Sequence, residues 1–290
     1  MTHQLKNDTY SVEVQAHGAE LSSFKDTVNN LEYIWQADPA VWARHAPVLF
    51  PIVGKLPNGE YQFKNKTYKL PQHGIARDLD FRLMEQTNES LTFTLTSSEK
   101  TLAVYPFSFR LEVKYQLTGN ALEIAYTVQN KEEEQMLFSL GAHPAFNCPL
   151  LPGEAFTDYY LEFEKPETLD RFLLSEGLQN GQTEPVLKDQ KILPLQYDFF
   201  EKDAIVLKGL HSEIITLRTN KHAHGVAFEF KNYPYFGIWT KERGAPFICL
   251  EPWHGIASHV DDSGELTQKE GIMSLPSGES FTCSYTIRVF

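Results

Sequence analysis

The sequence predicts an all-β protein, a large antiparallel β-sandwich, on three observations. Apolar side chains recur with period two rather than with the helical period, turn residues punctuate them along the whole chain, and no stretch offers a long amphipathic helix. The alternation is clearest in residues 90–97, Ser-Leu-Thr-Phe-Thr-Leu-Thr-Ser, where Leu91, Phe93 and Leu95 fall on one face.

Taken in order, residues 10–14 and 31–35 read as strands, and residues 39–44 as a short helix. Pro57-Asn58-Gly59 is a turn. Residues 107–117 alternate through Phe107, Phe109, Leu111, Val113 and Tyr115, and Thr118-Gly119-Asn120 then turns the chain into residues 121–128, a long hairpin. A strand at 136–140 precedes the Pro152-Gly153 turn, and another follows at 159–163. Residues 167–175 are the second short-helix candidate, and the mixed segment 179–198 reads as a long surface connection. Strands at 213–217, 225–230 and 280–290 complete the set, with turns at Pro234 and at Pro276-Ser277-Gly278. No repeat or linker divides the chain, so residues 1–290 are expected to form a single domain.

A hydrophobic share of 42% in 290 residues supplies a sizeable core. Acidic residues outnumber basic ones 38 to 26, and the net charge of −12 argues against nucleic acid or an anionic membrane as a partner. No apolar run is long enough to span a bilayer, and the first residues lack the pattern of a secretory signal. The three cysteines, Cys148, Cys249 and Cys283, are an odd number at long spacings, which fits neither a disulfide framework nor a zinc knuckle and points to a reducing cytoplasm. Aromatic residues, 13% of the chain, suit both strands and platforms for sugar rings, and exposed aromatic edges are compatible with a homodimer.

Ten histidines offer several leads. His3, His17 and His45 read as ordinary histidines. His222 and His224 form a His-x-His pair in a turn, with no obvious third ligand, so no metal is expected there. In three other segments an ionisable residue stands where a strand runs out into a loop, from which a rigid sheet presents it to a cleft. These are Gln72-His73-Gly74-Ile75-Ala76-Arg77, Gly141-Ala142-His143-Pro144-Ala145-Phe146 and Leu250-Glu251-Pro252-Trp253.

This set, His73-Gly74-x-x-Arg77, His143-Pro144-x-Phe146 and Leu250-Glu251-Pro252-Trp253, resembles the aldose 1-epimerase (galactose mutarotase) family, and more narrowly its LacX-type bacterial branch. The block from Ala46 to Lys55, Ala-Pro-Val-Leu-Phe-Pro-Ile-Val-Gly-Lys, and the order of segments extend the likeness over nearly the whole chain. The resemblance implies the family's β-sandwich, a small-molecule sugar as ligand, and no cofactor or metal.

It also implies chemistry. Interconverting the anomers of a free hexose requires a base at the C1 hydroxyl and an acid at the ring oxygen. By analogy Glu251 is the base and His143 the acid, with His73, Arg77, Lys55 and Trp253 binding the sugar. Glu251 is then expected to be ionised, and His143 to titrate at or above about 6.5. Arg77 has a second reading, a strand-end ion pair to Asp78 or Asp80. Lys55 stands where better-known members carry the arginine of a Gly-Arg segment, the usual Asn-Arg pair of the galactose enzymes is missing from this region, and Asp203 is a candidate for a further acidic sugar-binding residue by position alone. The alternatives are a hexose-6-phosphate mutarotase and a non-catalytic carbohydrate-binding protein on the same fold. A glycoside hydrolase would need a second carboxylate; Glu154 and Asp158, in a Pro-Gly loop, read as solvated charges.

Overall fold

A computed structural model describes residues 1–241 and 243–290. Four strands, Thr2–Lys6, Tyr10–Gln15, Glu20–Asp26 and Leu31–Glu32, form one antiparallel sheet. A fifteen-stranded sheet runs from the edge strand Val48–Leu49, through Leu140–Ala142, Phe247–His254 and Tyr235–Trp239, to Phe109–Thr118, Ser90–Thr96 and Arg82–Gln86 at the far edge. The all-β antiparallel architecture expected from the sequence is what the chain adopts. Among the described residues, no helix is long and apolar enough to cross a membrane.

Period two explains the register. Phe109, Leu111, Val113, Tyr115 and Leu117 are all buried, and so are Leu122, Ile124, Tyr126 and Val128 on the partner strand Ala121–Asn130. Val113 lies opposite both Tyr126 and Phe93, and Tyr115 opposite both Ile124 and Leu91. A slip of one residue would turn all of these side chains outward, so burial on one face fixes the pairing. Gly119, with φ of +58°, closes the hairpin without the strain a side chain would bring. One hydrophobic cluster draws residues from Leu5 to Val289.

The chain departs from the sequence expectations at several elements. Residues 167–175 are not helical but belong to the strand Tyr159–Ser175, and the expected surface connection is largely its partner Leu178–Pro194. Glu176 and Gly177 make the tight turn between them, both at positive φ (50° and 81°). That is the two-residue hairpin geometry whose usual sequence mark is Asn-Gly or Asp-Gly, so Glu-Gly hid it. Residues 39–44 form turns, while the short α-helix is Glu99–Leu102, capped by the Ser98 hydroxyl. The strand expected at 31–35 stops at Glu32, and that expected at 136–140 divides into Met136–Phe138 and Leu140–Ala142, which pair in different sheets.

Candidate active site

The site is built on the strand Phe247–His254, buried at every residue but its last. Alternation puts Cys249, Glu251 and Trp253 on one face. Glu251 therefore lies within a strand rather than at the strand exit expected from the Pro-Trp that follows it. On one side Tyr235–Trp239 pairs Gly237 with Glu251. On the other, Leu140–Ala142 pairs with Trp253 and His254, and Ala145–Asn147 pairs with residues 247–249. The break between these two short strands is His143-Pro144, so the histidine falls beside the stretch that carries Glu251. Glycine is required on both flanks: a Cβ at Gly237 would stand 2.4 Å from the Trp253 ring, and one at Gly141 2.7 Å from it. The indole lies across bare backbone.

Above this floor opens a cavity of about 610 Å³ whose wall includes His73, Arg77, His143, Glu251 and Trp253. His143 Nε2 is 3.4 Å from Glu251 Oε2, with His143 7% and Glu251 2% exposed. Burial dominates the electrostatics of the pair. It pushes the imidazole down to about 3, with the Arg77 charge adding to the effect, and raises the carboxyl well above its usual range. Both shifts run against the expectation of an imidazole at or above 6.5 beside an ionised Glu251. Burial thus works against the charged form of both groups.

His73 sits at φ +67°, followed by Gly74 at +73°, where a Cβ would collide with the Phe50 carbonyl oxygen at 2.3 Å. This turn presses the ring against Gly54, whose backbone N–H donates to His73 Nδ1 at 3.2 Å. With Nδ1 accepting, the neutral ring carries its proton on Nε2; the Gln72 amide nitrogen 3.3 Å away is itself a donor and does not accept that proton, which leaves Nε2–H free for a ligand. The His73 and His143 rings meet edge to face, centroids 5.6 Å apart.

Arg77 lies on the cavity wall with Nη2 donating to the Gln72 carbonyl at 2.7 Å. Of the two alternative ion pairs, Arg77 Nε makes the one to Asp78 as a long contact of 3.8 Å, shared with Arg44 at 2.7 Å, while Asp80 binds His17 instead. Lys55 is not brought to the cavity; its ammonium donates to the Glu176 carbonyl at 2.9 Å and ties down the tip of the long hairpin. Asp203 does reach the wall, at φ +74°.

Several wall residues were not singled out from the sequence, among them Trp42, Trp239, Gln72 and Lys241. Trp42 stacks on the His143 ring, centroids 5.1 Å apart and planes 27° from parallel, and Trp239 meets that ring edge-on at 5.5 Å. Trp42 stands in an irregular segment, where no periodicity points to a partner a hundred residues away. Gln72 stands beside the His73 that the sequence did mark, whereas Trp239 ends the strand Tyr235–Trp239, which the sequence reading did not pick out. The His222–His224 pair is remote from this wall. His222 Nε2 lies 3.2 Å from Glu154 Oε2 and 3.1 Å from the Tyr159 hydroxyl, and His224 Nδ1 lies 3.3 Å from the Phe290 carbonyl. Glu154, expected to be solvated, is only 10% exposed at its side chain because Tyr159 and His222 enclose it.

Comparison with known proteins agrees with the geometry. The family model for aldose 1-epimerase matches residues 1–274. The chain is 36% identical over 298 residues to the chromosomal LacX protein of Lactococcus lactis subsp. lactis, covering 100% of this chain and 99% of that protein. Among solved structures, a galactose mutarotase related enzyme from Lactobacillus acidophilus superposes with a TM-score of 0.96 at 38% identity, covering 100% of this chain and 97% of the other. A galactose mutarotase-like protein from Lactobacillus casei superposes at 0.94 with 33% identity, over 100% of both chains. The chain belongs to the aldose 1-epimerase family.

Proposed function

We propose that the protein interconverts the α and β anomers of a free aldohexose by acid–base ring opening at the His143–Glu251 pair. The observation that carries this reading is the 3.4 Å contact of imidazole and carboxyl on the floor of a sugar-sized cavity. The C1 hydroxyl and the ring oxygen are bonded to the same carbon. Two groups that serve them must therefore lie within a few ångströms of each other, closer than the ~5 Å or more that separates a glycosidase's carboxylates.

Ring opening needs only the proton the pair already holds. In the reactive form Glu251 is ionised and His143 protonated. Glu251 takes the C1 hydroxyl proton while His143 protonates the ring oxygen, and the C1–O5 bond breaks to give the aldehyde. The pair is then neutral, the form that burial favours. After rotation about C1–C2, O5 attacks the other face of C1; His143 recovers its proton and Glu251 returns one to O1. Sugar hydroxyls replace the missing water around the charged form. His73, with Nε2 as donor, Arg77 and the indole of Trp253 hold the ring.

The test is the optical rotation of freshly dissolved α-D-glucose and α-D-galactose. Acceleration of either supports the reading. Arg77 and Lys241 on the wall favour a second substrate class, hexose 6-phosphates, to be assayed in parallel. Acceleration of none of these would leave a sugar-binding role.

A further inference from the structure

The strand that carries Glu251 presents another donor beneath it. Cys249, two residues earlier on the same face, brings its Sγ to the pair: that atom, a carboxylate oxygen of Glu251 and a ring nitrogen of His143 all lie within 4.8 Å of one another. All three side chains are buried. The 3.4 Å between His143 Nε2 and Glu251 Oε2 is the edge of a tetrahedron with bonds of about 2.1 Å, the length of zinc–nitrogen and zinc–oxygen bonds. Strand pairing on both sides of Cys249, to Ala145 and to Trp239, holds its backbone in place.

We propose that Cys249, His143 and Glu251 form a binding site for a thiophilic divalent transition cation of the Zn²⁺ type, and that its occupation inhibits the enzyme. Thiolate, imidazole and carboxylate are the donor types of three-ligand zinc centres, and the cavity leaves the fourth position open to water or a sugar hydroxyl. A thiolate and a carboxylate together neutralise the cation, so no net charge is buried. Mg²⁺ and Ca²⁺ are excluded, because a set with a single carboxylate and a sulfur cannot supply the oxygen shell they require. Inhibition follows because the cation occupies both groups that the sugar needs; this part rests on the mutarotase reading, whereas binding does not.

The experiment is a Co²⁺ titration of the full chain followed by absorption, repeated on Cys249→Ser and Cys249→Ala, with Zn²⁺ added to rate assays of all three proteins. A thiolate-to-cobalt charge-transfer band with intense visible bands of a tetrahedral centre is expected in the wild type and absent from both variants. Zn²⁺ inhibition should weaken in the variants by more than the roughly 10–100-fold that loss of an outer-shell partner costs, while their metal-free rates stay near wild type. No thiolate band in the wild type, or equal Zn²⁺ potency with and without Cys249, would overturn the site. If no sugar is turned over, the cobalt spectrum still decides on binding, so failure of the mutarotase reading and failure of this one are distinguishable.

Discussion

His143 is held by aromatic faces. Trp42 stacks on it and Trp239 meets it edge-on, so the ring plane that aims Nε2 at Glu251 depends on packing. Such contacts contribute about 0.5–1.5 kcal/mol each. Trp42→Ala is expected to lower kcat by up to about tenfold, measured by mutarotation rates at saturating sugar, and an unchanged kcat would deny the indole a positioning role. The sequence made Glu251, His143 and His73 legible because each stands beside Gly or Pro, although Glu251 proves to lie within its strand. It did not disclose Trp42, whose segment has no period and whose contact with His143 is made only by the tertiary fold. Lys55 misled for the opposite reason: its neighbour Gly54 does reach the wall, but the lysine's long side chain turns to the hairpin tip.

At the scale of elements, the site exists because two neighbouring strands give up side chains where Trp253 lies. Gly237→Ala would place a methyl group 2.4 Å from the indole, against a ring fixed on its other flank by Gly141. The expected outcome is a loss of about 1–3 kcal/mol in urea unfolding with a raised KM, the cost of overpacking a filled core; wild-type stability would show that Trp253 moves freely. Alternation made the hairpin Phe109–Thr118 and Ala121–Asn130 legible, because its apolar face is continuous. The longer hairpin Tyr159–Ser175 and Leu178–Pro194 was obscured. Its residues mix charge with apolar groups, its register is broken by several irregularities, and its Glu-Gly turn lacks the usual signature.

Over the whole molecule, histidines that lose water on folding tie stability to pH. His254 is packed against Tyr233 and Phe281, and burial lowers it to about 4. In the unfolded chain it binds a proton near pH 6.5 and in the folded chain it does not, so its contribution is present above about 6.5 and is lost as pH falls towards 4. His73, also lowered by burial, acts in the same direction. The melting temperature is expected to fall across that window, less steeply in His254→Phe; equal slopes in the two proteins would remove His254 from the account. The central claim is that His143 and Glu251 work as one acid–base unit, and a double-mutant cycle on mutarotation rates tests it most directly. Glu251→Gln and His143→Asn should each reduce kcat by about 10²–10⁴-fold, and the double variant should lose little more than either one. A single variant that keeps the wild-type rate, or losses that multiply in the double variant, would contradict it.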